Sequence, residues 1–232
     1  MGETRRGFDP EDPKFFGASY DEVLRRAAFE TRWILNRGYG MDQTITFIGN
    51  HHMLSRRQRM ALYRSVMPEE EKKLHAEREV RELSGEVFID GFNIIISLEV
   101  ALSGSLMLLG DDGVIRDLAG LHGTYRIIDK TPTAISLLKE ELLLHPGITG
   151  LNFYLDRPVS NSGRLKTLIE EIFRDIPGTV VQLLDGPDTA LRGKQNVLSA
   201  DSIVMNESGS WYNVVRRILE RRIPYAWVYQ WE

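Results

Sequence analysis

From Val87 onward the chain repeats one arrangement: a short apolar run, a polar turn, then a stretch of helical periodicity. The apolar runs are VFID (87–90), GLNFYLD (150–156), TVVQLLD (179–185), NVLSAD or SIVMN within 196–206, and YAWVY (225–229). Helical patterns fill the intervals at roughly 93–103, 133–145, 161–175 and 209–221. Strands that are apolar throughout, rather than at alternate positions, need cover on both faces. The spacing therefore predicts an α/β fold, a parallel sheet with helices on both faces. Within LMLLGDDGVIRDLAG, Asp112–Gly113 predicts a hairpin turn.

The first 84 residues read differently. Ser19 suits a helix N-cap, and Val23, Leu24, Ala27, Ala28, Ile34 and Leu35 carry a helix to about Asn36, closed by Gly38 and Gly40. TITFIG is a further short apolar run, and Ser55 caps a helix that Pro68 ends. EEEKKLHAEREVREL (69–83) is charged nearly throughout and predicts an exposed helix joining two units. The expected organisation is a small all-helical domain at 1–84 and an α/β domain at 85–232.

In an open parallel sheet the functional crevice lies beyond the carboxyl ends of the strands. Asp90 and Asp156 close the first two strands, LLDGPD supplies Asp185 and Asp188, and LSADS supplies Asp201. Carboxylates delivered to one rim by separate strands repel one another unless a cation lies between them. Oxygen-only donors suit Mg2+ or Mn2+. Asn93 would orient Asp90 or bind a water of the metal. For any one aspartate taken singly, capping of the next helix is the plainer role.

SNSGRLK (160–166) opens a helix with small residues, so Ser160, Asn161, Ser162 and Gly163 would offer a phosphate their backbone N–H groups, with Arg164 and Lys166 adding charge. A capping box with nothing bound accounts for the same residues. GLHGTYR (120–126) offers His122, Tyr125 and Arg126 to a substrate. Arg56, Arg57, Arg59 and Arg64 lie in a stretch, 43–68, that holds no acid. They would bind a nucleic-acid backbone or, as the default, pair with the acidic helix that follows. His51–His52 does not read as a metal pair, since neighbours in a helix do not share a face.

With net charge −4 there is no global basic field, and any nucleic-acid contact must be local. The absence of cysteine excludes disulfides, thiolate catalysis and thiolate-bound zinc. No Walker motif is present, no apolar run reaches the roughly 20 residues that span a bilayer, and the first twenty residues lack a signal core. The expectation is a cytoplasmic protein. YAWVYQWE (225–232) suits either an edge strand or a homodimer contact.

IDGFN on the first strand, followed by YLDRPVSNSG and LSADS, resembles the PIN-like (PIN/NYN) nuclease superfamily. More closely, the whole chain resembles a two-domain prokaryotic family of unknown function, through LNRGY, FIGNHHMLSRRQR and ALYR in its first part. DGFNIIISLEVALSG, DDGVIRDL, LHGTYR, LDRPVSNSGRL and ADS carry the likeness in its second. The resemblance covers about residues 19–221. It implies a PIN-like Rossmannoid fold and, through it, a Mg2+- or Mn2+-dependent ribonuclease. Asp90, Asp156 and Asp201 would then be metal carboxylates with Asn93 assisting. The helix-borne second acid of PIN nucleases has two candidates here, Glu99 and Asp117. RNA would lie along Arg56, Arg57 and Arg59, with Arg126 and the SNSG turn taking a phosphate. The competing expectations are a non-catalytic nucleic-acid or protein-binding module and a phosphoesterase of small substrates.

Overall fold

Leu24, Ala27, Ala28, Thr31 and Leu35 recur at helical spacing and are all buried, so their helix presents one continuous face to a core. In the computed structural model, which describes residues 4–120 and 123–231, this is α2 (Ala18–Leu35). It follows the short α1 (Asp12–Phe15) and precedes α3 (Met41–His51), α4 (Arg56–Ser65) and α5 (Glu69–Arg78). TITFIG lies within α3, where Ile45 and Ile48, three positions apart, enter the same core. A reciprocal capping box starts α4: Ser55 accepts from the Gln58 N–H, and Gln58 Oε1 accepts from the Ser55 N–H at 2.9 Å.

The helix expected to stand exposed between two units is instead docked. Although charged residues cover most of α5, His75 is fully buried, its Nδ1 2.8 Å from Asp112 and its Nε2 2.9 Å from Asn206. Its one inward anchor is polar, so hydrophobic periodicity gave no sign of it.

The remaining elements, in order, are β1 (Ser84–Asp90), α6 (Gly91–Leu102), β2 (Met107–Leu109), β3 (Ile115–Asp117), α7 (Thr131–Leu142) and β4 (Gly147–Asp156). Then come α8 (Ser162–Ile172), β5 (Thr179–Leu184), α9 (Pro187–Leu191), β6 (Val197–Leu198), α10 (Ser202–Glu207), α11 (Val214–Arg222) and β7 (Val228–Tyr229). The larger sheet has the order β5-β4-β1-β6, and every pairing is parallel. Of the two readings of 196–206, only the first contains a strand; SIVMN is the helix α10.

Side chains alternate across a strand, and the register sorts them into two layers. Val87, Ile89, Leu151, Phe153, Leu155, Val181 and Leu198 pack under α6, α7, α8 and α11 in the main core. On the opposite face Phe88, Tyr154 and Val197 pack with Leu191 of α9, Val204 and Met205 of α10, and Trp211. A second, three-stranded sheet has the order β3-β2-β7, with Asp112–Gly113 inside the β2–β3 hairpin turn as expected. YAWVY thus gives its last two residues to an edge strand of this small sheet and none to the large one. Tyr229 and Trp231 are buried with Phe16, Leu24 and Leu62, so the core of the helical unit is completed from the far end of the chain.

Candidate functional site at the sheet rim

Asp90 and Tyr154 are register partners in β1 and β4, so Asp156, two residues on, projects from the same face as Asp90. Asp188 follows in the first turn of α9, and Asp201 is the N-cap of α10. Four separate strand ends therefore bring carboxylates to one rim, on the face packed by α9, α10 and Trp211. Burial raises the Asp90 carboxyl from the ordinary 3.8 to about 7, against the pull of the Ser199 hydroxyl, and the charges of Asp188 and Asp201 push it the same way. Asp156 is raised by burial and by Asp188, and Asp188 by burial, Asp201 and Glu207. The electrostatics match a set of anions sharing one space.

Asp90, Asn93 and Ser199 hold the rim in shape. Ser199 donates its hydroxyl to Asp90 Oδ2 at 2.8 Å and accepts the Asp201 N–H at 3.1 Å, while Asn93 Oδ1 accepts the Ala200 N–H at 2.7 Å. The IDGFN segment thus anchors the 199–201 loop. Asn93 serves both sides: its backbone N–H bonds the Asp90 carboxylate, as expected, while its side chain holds the loop, a connection between residues 107 apart that the sequence did not suggest. Asp201 accepts the N–H groups of Ile203 and Val204 at 2.8 and 3.4 Å, so the capping role applies to it, while it remains exposed to solvent.

A cavity of about 440 Å³ opens beside the rim, between the helical and α/β units. Its walls include Asn93, Asp117 and Asp201 together with Arg64 and Arg116. Asp117 accepts from the Ser97 hydroxyl at 2.7 Å and the Ala119 N–H at 2.8 Å, with Arg64 3.6 Å away. Burial raises its carboxyl, against the pull of Ser97 and Arg64. Arg116 reaches both oxygens of Asp112, at 2.8 and 2.6 Å, and the Ala200 carbonyl at 2.8 Å. Arg116 and Ser199 were not among the expected site residues, whereas Arg64 was, as part of the basic run. Arg116 and Ser199 both lie in segments that carry the family resemblance, DDGVIRDL and LSADS, but no spacing singled them out.

Several expected residues lie elsewhere. Glu99 is turned to the opposite flank of α6, where its carboxylate is bound by Arg6, Tyr125 and Thr131. The reason is helical phase: Ser97 follows Asn93 by one turn, whereas six residues place Glu99 about 240° around the axis. Ser160, Asn161 and Ser162 spend their side chains on the Tyr125 backbone and the Arg157 carbonyl, stapling a loop. Asn161 sits at φ 62° and makes no side-chain cap, so the expected capping box is also absent. Gly163 and Arg164 are exposed at the start of α8, and exposed Arg126 lines a separate hollow with Arg6, Ser160 and Asn161. Tyr125 is buried against Glu99 rather than offered to a substrate, and His122 lies outside the described residues.

The basic run also resolves differently. Arg57 is bound to Asp12 and the Gly7 carbonyl, and Arg59 to Asn50 and the Leu54 carbonyl. Their partners come from the N-terminal residues with α1, and from α3 with the turn after it, not from α5 as the default pairing had it. Arg56 stays exposed.

The donors at the rim are carboxylate oxygens alone, a chemistry that fits Mg2+ or Mn2+ held through one or two carboxylates and its own waters. Among the described residues, the group of three potential ligand side chains whose ligand atoms lie within 4.8 Å of one another is not at the rim. It is Glu30, His51 and His52 in the helical unit, contrary to the expectation for the histidine pair.

Residues 80–217 match the family model described as a domain of unknown function, DUF5616. The chain belongs to the DUF5616 family. Residues 23–78 match a second model, the protein of unknown function DUF434, so the DUF5616 segment here follows a distinct helical one. This member is 33% identical over 196 residues to the uncharacterized protein MJ0935 of Methanocaldococcus jannaschii, covering 82% of this chain and 93% of that one. No solved structure matches. The DUF5616 segment contains the whole parallel sheet and every rim carboxylate, whereas Arg56 and Arg64 belong to the DUF434 segment. Among the described residues no helix is long and apolar enough to cross a membrane.

Proposed function

We propose that this DUF5616 protein is a Mg2+- or Mn2+-dependent hydrolase of RNA phosphodiesters, with its α/β unit a PIN-like domain. The observation that carries this reading is the mutual repulsion of Asp90, Asp156, Asp188 and Asp201 across one rim. A fold bears such a cost readily where a cation relieves it. Asp90, Asp156 and Asp201 would hold the cation, with Asp188 beside them. When bound, the cation supplies the neutralising charge and the Lewis acidity that phosphodiester hydrolysis draws on.

The chain's own residues do the rest. Ser199 and Asn93 fix the 199–201 loop, and with it the separation of Asp90 from Asp201. Arg64, on the cavity wall near Asp117, offers positive charge to an incoming phosphate, and exposed Arg56 extends that charge along α4. Arg57 and Arg59 support the helical unit instead. Asp117 takes the place of the helix-borne acid that Glu99 does not fill.

The test is cleavage of labelled single-stranded and structured RNA with Mn2+, Mg2+ or EDTA, run beside Asp156→Asn. Metal-dependent cleavage that disappears in the variant, with circular dichroism unchanged, supports a nuclease. Mn2+ binding without cleavage moves the reading to a binding module. Turnover of a small phosphate ester but not of RNA moves it to a phosphoesterase.

A further inference from the structure

Glu30, His51 and His52 bring one carboxylate oxygen and two imidazole nitrogens within 4.8 Å of one another. Glu30 stands in the penultimate turn of α2, His51 is the last residue of α3, and His52 is its C-cap. Within a helix, adjacent side chains diverge by about 100°. His52 escapes that rule because it has left the helix, with φ −91° and ψ 6°. Its ring turns back to meet His51 edge-on, the centroids 4.7 Å apart and the planes at 82°.

The cluster is ordered by its neighbours. His52 Nε2 lies 2.7 Å from Glu30 Oε2, and the His52 side chain is only 10% exposed. Phe47, one turn before His51 on α3, lies nearly parallel to its ring at 6.5 Å. Arg26 Nε reaches the other carboxylate oxygen, Glu30 Oε1, at 3.0 Å, so both oxygens are held in place.

Two imidazoles and a carboxylate form a donor set unlike that of the rim. Imidazole suits borderline dications such as Zn2+, whereas Mg2+ takes oxygen. We propose that Glu30, His51 and His52 form a binding site for a Zn2+-type dication, separate from the carboxylate rim, with its fourth position open to water. Glu30 and the histidines come from two helices, so the bound ion would clamp α2 to the end of α3. The proposal does not depend on phosphodiester hydrolysis at the rim.

The test is titration of the full-length protein with Co2+, followed by its visible d–d absorption, with Zn2+ and excess Mg2+ as competitors. The variants are His51→Ala, Glu30→Gln and, as a control on the rim, Asp156→Asn. His51 is exposed, so its replacement should leave the circular dichroism unchanged. One Co2+ per chain is expected, displaced by Zn2+ but not by Mg2+. Affinity should fall about tenfold or more in His51→Ala and Glu30→Gln, since loss even of a ligand's supporting partner costs 10–100-fold. Asp156→Asn should bind as the wild type does. Absence of binding, displacement by Mg2+, or wild-type affinity in His51→Ala and Glu30→Gln would overturn the proposal.

Discussion

Ser199 donates its hydroxyl to the Asp90 carboxylate at 2.8 Å, joining the ends of two adjacent parallel strands across the most strongly perturbed acid of the rim. The bond favours the charged form, but burial outweighs it, and Asp90 titrates at about 7.

That balance sets a pH dependence of stability. Between the ordinary 3.8 and about 7 the folded chain retains a proton that the unfolded chain has released, so stability falls as pH rises across this window. Asp90→Asn removes the proton linkage. Relative to the wild type the variant should gain stability from pH 5 to pH 8, on the order of 3 kcal/mol at most. Urea denaturation at both pH values measures this, and Mn2+ should flatten the wild-type profile if it binds the rim. A variant with the same pH slope as the wild type would refute the assignment.

Asp201 combines a cap with a charge, and two substitutions separate them. Asp201→Ala loses both and should cost about 1 kcal/mol of stability. Asp201→Asn keeps an efficient cap and should stay within about 0.5 kcal/mol of the wild type. Both should weaken Mn2+ binding to the rim, read by isothermal titration. Undiminished affinity in Asp201→Asn would leave this residue as a cap alone.

The Asp112–Arg116–His75 network should be among the more sensitive points of the fold. Burial opposes ionisation of Asp112, yet Arg116 and His75 hold its carboxyl well below the usual range. This stability is present above the ordinary 3.8 and drains away as pH falls toward the lower folded value. Arg116→Met leaves buried Asp112 without its cation and should cost about 3–5 kcal/mol at pH 7. Denaturant melts should show the loss shrinking once Asp112→Asn is added, the sign of direct coupling.

Glu99 should prove an anchor for the N-terminal arm. Arg6 reaches it at 2.8 Å, and the Arg6 N–H also bonds the Ser103 hydroxyl at 3.0 Å. Glu99→Ala should expose the Arg5 and Arg6 bonds to trypsin many-fold faster than in the wild type, by mass spectrometry of timed digests. Cleavage at the wild-type rate would show the arm held by its other contacts.

What could be read from the sequence followed the strength of the local signal. Continuous apolar strands ending in aspartate at 90 and 156 fixed the parallel sheet and the face of its rim, because register and alternation are local consequences of sequence. Asp112–Gly113 marked the β2–β3 hairpin, but β7, with two residues, carries too little pattern to be paired with β2 on paper. The Arg57–Asp12 pair and the Asn93–Ala200 bond join residues 45 and 107 apart, and no local signal marks them. Glu99 is a different case, since counting helical phase from Asn93 would already have turned it away.

Tyr229 donates to Asp21 at 3.0 Å, and the Trp231 indole donates to Ser65 at 2.9 Å, each bond closing a loop of well over half the chain. During synthesis the first four helices emerge long before these aromatic rings. Until then Leu24, Ile48 and Leu62 lack part of the surface that covers them. Closure of such long loops is slow on the scale of helix formation. The helical unit can therefore complete its core only after residues 229–231 have been made, and its last packing step is tied to synthesis of the α/β unit that precedes them.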